Sequence, residues 1–98
     1  MNNLYNYITA AGPTTTIVSA VPCVLSGITI NKAAANGVIT LYDGKTVATG
    51  TVIGILTTPA TVTNTHVTVD YKDICLVEGL TIVTSVVAQD IIVAYRGA

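Results

Sequence analysis

Beta-branched residues dominate this chain. Valine, isoleucine and threonine together account for 42 of the 98 residues, whereas phenylalanine and tryptophan are absent. Two substituents on Cβ restrict the χ1 angle and favour a pleated, half-buried surface over a helix. A chain of this length also fits one domain, because a second hydrophobic core needs more residues. The composition therefore predicts a single all-β domain.

The β-branched residues fall into short runs separated by turn residues. Eight runs of strand length at this spacing predict a single small antiparallel β-sandwich or jelly-roll-like domain of about eight strands over residues 13–98. Asn36-Gly37 and Asp43-Gly44 tolerate positive φ and predict tight hairpin turns around the third run. The predicted strands are Thr15–Ala20, Cys23–Asn31, Val38–Asp43, Val47–Leu56, Thr65–Tyr71, Lys72–Leu76, Leu80–Ser85 and Asp90–Arg96.

Residues 1–12 differ from the rest in being rich in asparagine, and Gly12-Pro13 separates them from the runs that follow. We interpret them as an N-terminal arm or a first edge strand. Four apolar residues in this segment are candidates for a partner interface, because tyrosine combines a large contact area with a polar tip. Packing within the subunit and docking between subunits are both open for them. These candidates are Leu4, Tyr5, Tyr7 and Ile8.

More apolar surface is present than one small core should absorb. Apolar and polar residues alternate regularly in Thr65–Tyr71, which predicts one solvent-exposed face. In contrast, Val38–Tyr42 and Ile91–Tyr95 are apolar or neutral on both faces. Monomeric proteins rarely leave large apolar patches in water. The pattern predicts that neighbouring subunits cover this surface in an obligate or lattice assembly. The alternative is a threonine-rich surface that water tolerates.

Charge is scarce, at 9% of residues with a formal net charge of −1. A nucleic-acid-binding protein would carry a basic stripe that displaces counterions. The four basic residues are instead isolated and far apart in the sequence. No nucleic-acid partner is therefore expected. These basic residues are Lys32, Lys45, Lys72 and Arg96.

Two uncharged stretches, residues 1–31 and 46–69, superficially resemble membrane spans. Both are loaded with threonine and contain glycines and Pro22 or Pro59, whereas a spanning helix needs about 20 predominantly apolar residues. The Met1 end also lacks the basic region and apolar core of a secretory signal. We expect no membrane partner.

No constellation of residues predicts chemistry. His66 is the only histidine and is expected on a solvated strand face, and Asp70 and Asp73 are interpreted as turn residues. Cys23 and Cys75 are interpreted as two buried small side chains, the alternative being a disulfide that links two strands. We expect no catalytic residue, no metal, no cofactor and no enzymatic activity.

Four segments together resemble small virion structural proteins of tailed bacteriophages, over roughly residues 14–96. They match a GxLxGIxIN-like strand, an LYDG-like hairpin, a GLTIVT-like strand and a final VxYR-like strand that recur in that group. The segments are Val24–Asn31 (VLSGITIN), Gly37–Gly44 (GVITLYDG), Glu78–Thr84 (EGLTIVT) and Asp90–Arg96 (DIIVAYR).

The resemblance implies a compact β-sandwich that acts as a capsid decoration or cement protein, binding the major capsid protein or other virion proteins. It would form a homo-oligomer, through a trimer or a symmetric lattice contact, on the capsid surface of particles assembled in the bacterial cytoplasm. A neck, tail, baseplate or head-fibre component is an alternative within the same group. A second alternative, from another class, is a carbohydrate-binding module for the host surface. Fold alone does not decide among these functions.

Overall fold

The computed structural model describes residues 4–10, 14–32, 37–46, 50–57, 67–85 and 89–97. These residues form eight strands in two four-stranded antiparallel sheets, which confirms the predicted all-β class. The strands are β1 (Leu4–Ala10), β2 (Thr14–Ser19), β3 (Cys23–Lys32), β4 (Val38–Asp43), β5 (Thr51–Thr57), β6 (Val67–Leu76), β7 (Leu80–Thr84) and β8 (Gln89–Gly97).

The strand order is that of a jelly roll. The first sheet has the order β1-β8-β3-β6 and the second has the order β2-β7-β4-β5. The first strand thus pairs with the last, the second with the seventh, the third with the sixth and the fourth with the fifth. This nested pairing is a long antiparallel ribbon rolled into two sheets, the double Greek-key arrangement of jelly rolls.

The hydrophobic core lies between the two sheets. Alternate residues of a strand point to opposite faces, so one set of each alternating run meets the other sheet. Ile39 and Leu41 of β4 are fully buried, whereas Val38 and Tyr42 are only half-buried. Other hydrophobic core residues with at most 1% exposure are Cys23, Leu25, Ile28, Leu80, Ile82, Ile91 and Val93.

Strand β6 corrects the prediction of two separate strands at Thr65–Tyr71 and Lys72–Leu76. The structure has one strand with a bulge, because the pairing with β3 jumps from Gly27↔Asp70 to Leu25↔Ile74. Lys72 and Asp73 adopt the left-handed conformation there, with φ of 53° and 57°. Bulges accommodate such extra residues without ending the strand, so the predicted corner is a kink within β6.

The connection between β4 and β5 also differs from the prediction. A tight hairpin at Asp43-Gly44 is wrong, since β4 ends at Asp43 and β5 begins only at Thr51. Residues 33–36, 47–49 and 58–66 lie outside the described residues. They contain Asn36 of the predicted Asn36-Gly37 turn, and His66.

The cysteines correct a third expectation. Cys23 is buried, as predicted, but Cys75 is exposed on β6, and both are free thiols. Cys75 pairs in register with Val24, the residue after Cys23, so the two thiols belong to opposite faces of the sheet. A disulfide between them is therefore excluded by this arrangement.

We expect one of the two thiols to react with a water-soluble disulfide reagent in the native protein, and both to react in urea. Burial raises the pKa of the Cys23 thiol, and the nearby Asp43 carboxylate raises it further. The thiolate is the nucleophile, so Cys23 is disfavoured by both access and ionisation. A Cys75→Ser variant should abolish the fast phase of thiol titration. Persistence of a fast phase in this variant would contradict the assignment.

Tyrosines pack along the border of the core. Tyr71 and Tyr95 both contact the buried cluster, and burial raises the pKa of the Tyr71 phenol. The Tyr71 hydroxyl occupies the space where a side chain at Gly54 would lie, since a Cβ built there would be 2.5 Å from it. This contact joins β6 of the first sheet to β5 of the second and closes that side of the sandwich.

Candidate partner-binding surface

Strand β1 forms one edge of the first sheet and carries three of the four residues predicted for a partner interface. Leu4, Tyr5 and Tyr7 are 53%, 66% and 68% exposed. Tyr5 and Tyr7 are two residues apart on one strand, so their rings lie on the same face of the sheet. We call these three residues the β1 surface.

The fourth predicted residue, Ile8, belongs to the core. It is 4% exposed and packs with the buried residues between the sheets. Its pairing with Ile91 of β8 anchors β1 to the sheet. Ile8 therefore offers almost no surface to a partner, and removing residues 1–12 would take away a core side chain together with the β1 surface.

The remaining exposed apolar side chains also follow the edges of the sandwich. Among the described residues, none of the large exposed apolar side chains lies on the central strands β3, β4, β7 or β8. They lie on β2, β5, β6 and two turns. These residues are Ile17, Val21, Val52, Ile55, Ile74 and Val77, with exposures between 39% and 74%.

Charge is distributed unequally between the two sheets. The four strands of the second sheet carry a single charged residue, Asp43 at the end of β4. Strands β3, β6 and β8 of the first sheet carry all the others within strands, and β1 carries none. The apolar edges β1, β2 and β5 consequently lack the charges that usually discourage contact between protein surfaces.

A polar cluster stabilises the bulge of β6. Arg96 Nη1 lies 3.0 Å from Asp73 Oδ1, which also accepts a 2.7 Å hydrogen bond from Ser26 Oγ. Asp70 Oδ1 accepts a 2.7 Å bond from the Lys72 backbone N–H. The hydrogen bonds from Arg96 and Ser26 lower the pKa of the Asp73 carboxyl below its ordinary value. Asp70 and Asp73 thus stabilise a bulge within a strand, where the sequence indicated a turn.

We expect this cluster to make the protein less stable in acid. A carboxyl whose pKa is lower in the folded state stabilises the fold above its unfolded pKa of about 3.9, and loses this effect as pH falls through the folded value. The urea midpoint should therefore fall between pH 5 and pH 2 by more in the wild type than in Asp73→Asn. Equal falls in both proteins would show that Asp73 does not carry this dependence.

One end of the sandwich is held together by a carboxylate that the sequence did not single out. Asp43 Oδ2 accepts a 3.2 Å bond from the Val77 N–H, and Oδ1 accepts a 3.0 Å bond from the Glu78 N–H. The Gly44 N–H donates to the Gly79 carbonyl at 3.2 Å. These bonds join the end of β4 to the β6–β7 turn, across the sandwich. Only the pairing of distant strands brings these residues together.

No group of three or more His, Cys, Asp or Glu side chains in the described part of the chain is arranged to hold a metal ion. In the same residues, no helix has the length and apolar character needed to cross a membrane.

Fold and surface together define a small jelly-roll β-sandwich in which three of the four edge strands carry no charge. Comparison with known protein families, curated proteins and solved structures finds no match for this chain.

Proposed function

We propose that the protein is a structural virion protein of a tailed bacteriophage, a capsid decoration or cement protein that binds the major capsid protein lattice. It has no catalytic role in this proposal, and it functions as a homo-oligomer, through a trimer or symmetric lattice contacts. The sequence resemblance over residues 14–96 suggested this class. Jelly rolls also occur in viral capsid proteins, although the fold alone does not determine function.

The observation that carries the proposal is the position of the exposed apolar side chains. They lie on the edge strands and two turns of a jelly roll, where a neighbouring subunit in a shell would meet them, and the edges β1, β2 and β5 carry no charge. Burying such surface on assembly stabilises the contact by roughly 25 cal/mol per Å². Many modest contacts of this kind reinforce one another on a lattice through effective concentration.

Cryo-electron microscopy of phage particles that contain this chain tests the proposal. Density for a small sandwich at regular positions on the capsid shell is the expected result. Density confined to the neck, tail, baseplate or head fibres would keep the structural role and replace the decoration role. Absence of the chain from purified particles would overturn the virion function.

A particle-binding assay tests the residues. Purified wild-type chain should bind particles that lack it, and Tyr5→Ala with Tyr7→Ala should bind more weakly, by about tenfold for each 1.4 kcal/mol of lost contact energy. The matched control is Thr15→Ala, an exposed residue on the neighbouring edge strand β2 with a small side chain. Point substitutions are preferable to deletion of residues 1–12, which would also remove the buried Ile8.

A second candidate function is favoured by one specific observation. Tyr5 and Tyr7 place two rings, each about two-thirds exposed, on one face of β1. Exposed aromatic faces can pack against the apolar face of a sugar ring, and lectin domains also use jelly rolls. A glycan array with the wild type and the Tyr7→Ala variant separates this candidate: binding that depends on Tyr7 would support a carbohydrate-binding module.

A further inference from the structure

Four strands form the edges of the sandwich in the described part of the chain: β1 and β6 in the first sheet, β2 and β5 in the second. An edge strand presents unpaired backbone N–H and C=O groups that can pair with another chain. Proteins usually prevent this with bulges, charges or proline on the edge. The four edges differ sharply in these protections.

Three of the edges are interrupted. Strand β6 has the left-handed bulge at Lys72 and Asp73, and both of these residues are charged. The register of β2 shifts between Ile17 and Ser19, and that of β5 shifts around Ile53, opposite Leu41 and Tyr42 of β4. None of the three therefore offers a regular edge over its whole length.

Strand β1 has none of these protections. Its seven residues pair with β8 in an unbroken register, from Leu4↔Tyr95 to Ala10↔Gln89. The strand contains no charged residue and no proline. Leu4, Tyr5 and Tyr7 extend apolar surface along it. An edge that is regular, neutral and apolar is a template for strand addition.

We propose that β1 pairs with β1 of a second copy of this chain, in antiparallel orientation. The second copy is the occupant because its β1 is likewise its regular, uncharged edge within the described residues, and a neutral strand does not repel itself. Antiparallel pairing of identical strands is two-fold symmetric, so both copies satisfy their edges in one contact. The two first sheets join into one eight-stranded sheet.

A register centred on Asn6 brings the apolar side chains together. Tyr5 then lies opposite the partner's Tyr7, and Leu4 lies opposite the partner's Ile8. Cross-strand aromatic pairs of this kind stabilise a sheet by roughly 0.2–1 kcal/mol each. Two such tyrosine pairs form on one face, while each Leu4 covers the border of the other core. Asn6, which is half-buried, lies opposite the partner's Asn6.

The size of the contact sets its expected strength. A seven-residue strand is about 24 Å long, and two packed sheets with their side chains are about 20 Å thick, which gives about 480 Å² for each copy. Stable complexes bury about 800 Å² for each partner. We therefore expect a weak dimer in solution, with a dissociation constant of roughly 100 μM, that becomes persistent when other contacts hold the copies on a lattice.

This inference rests on the proposed function only in treating the β1 surface as an assembly surface. Of the two proposed forms of oligomer, it selects a symmetric two-fold contact and not the trimer. Purified protein tests the pairing, whereas electron microscopy of particles tests the virion role. A chain that is found in particles but does not pair through β1 would contradict this inference alone. A chain that pairs through β1 but is absent from particles would contradict the proposed function alone.

Sedimentation equilibrium of the full chain, from about 10 μM to about 1 mM, tests the pairing. The expected result is a monomer–dimer equilibrium that Tyr5→Lys with Tyr7→Lys weakens at least tenfold, because four charges meet at the two-fold axis. Val52→Lys on the opposite edge β5 is the matched control and should leave the equilibrium unchanged. A monomer throughout, or a dimer weakened only by Val52→Lys, would overturn the proposal.

A cross-link tests the register independently of those variants. In a Cys75→Ser background, Asn6→Cys should form a disulfide-linked dimer on mild oxidation, because directly opposed residues of an antiparallel pair lie about 4.5–5.5 Å apart at Cα. Thr57→Cys on β5, in the same background, should not. No cross-link at Asn6→Cys, or equal cross-linking of both variants, would overturn the β1 pairing.

Discussion

Replacing Gly79 by alanine is expected to lower the free energy of unfolding by about 2–4 kcal/mol. A Cβ at this position would overlap the Ser19 carbonyl oxygen and lie 3.2 Å from the Gly44 carbonyl oxygen, so backbone must move. The φ of Gly79 is also +157°, a conformation that L-residues rarely adopt. Both the steric overlap and the unfavourable φ lower the free energy of unfolding of the variant. Urea unfolding, monitored by circular dichroism, measures the change.

Gly97→Ala is the matched control, because a Cβ there would have no atom within 4 Å. It should change the free energy of unfolding by no more than about 0.5 kcal/mol. Equal effects of the two substitutions would mean that the turns around Gly79 and Ser19 are not packed as described.

Replacing Asp43 by alanine is expected to lower the free energy of unfolding by about 2–3 kcal/mol. Its carboxylate accepts two backbone hydrogen bonds from the β6–β7 turn, and hydrogen bonds to a charged group are stronger than neutral ones. Asp43→Asn should lose about half as much, because its amide keeps one oxygen acceptor. Thermal and urea unfolding of the three proteins at neutral pH measure the series.

Glu78→Ala controls for loss of negative charge at the same end, since Glu78 is exposed on the turn and contributes its backbone N–H to Asp43. It should change stability by no more than about 0.5 kcal/mol. If Asp43→Ala and Glu78→Ala had the same small effect, the two hydrogen bonds to the turn would contribute nothing to the fold.

The strands were predictable because their cause is local. The β-branched runs at 23–31, 38–43 and 80–85 correspond to β3, β4 and β7 within a residue at each boundary. The predictions fail where contacts between residues far apart in the sequence determine the backbone conformation. The bulge in β6 depends on Ser26 of β3 and Arg96 of β8, and nothing near Lys72 in sequence, such as a glycine, announces a left-handed conformation.

The exposure of the candidate interface residues was predictable in part. Composition singled out Leu4, Tyr5 and Tyr7, and all three are exposed. The sequence around Ile8 and Cys75 does not indicate whether either side chain is buried or exposed, because a small or apolar side chain can lie on either face of a strand. Ile8 is buried because β1 pairs with β8, and Cys75 is exposed because the bulge resets the alternation of β6.

The sequence by itself determined the all-β class, the approximate strands and the shortage of charge, since side-chain branching and period-two alternation act over a few neighbouring residues. Only the tertiary structure decided which strands are edges, and for the N-terminal segment it decided between an arm and an edge strand. The uncharged strand β1 pairs with the last strand, β8, and with no other described strand. It therefore forms an edge of the sheet on which Tyr5 and Tyr7 are exposed. Strand order is a property of long-range pairing, and no local pattern in the chain encodes which neighbour a strand lacks.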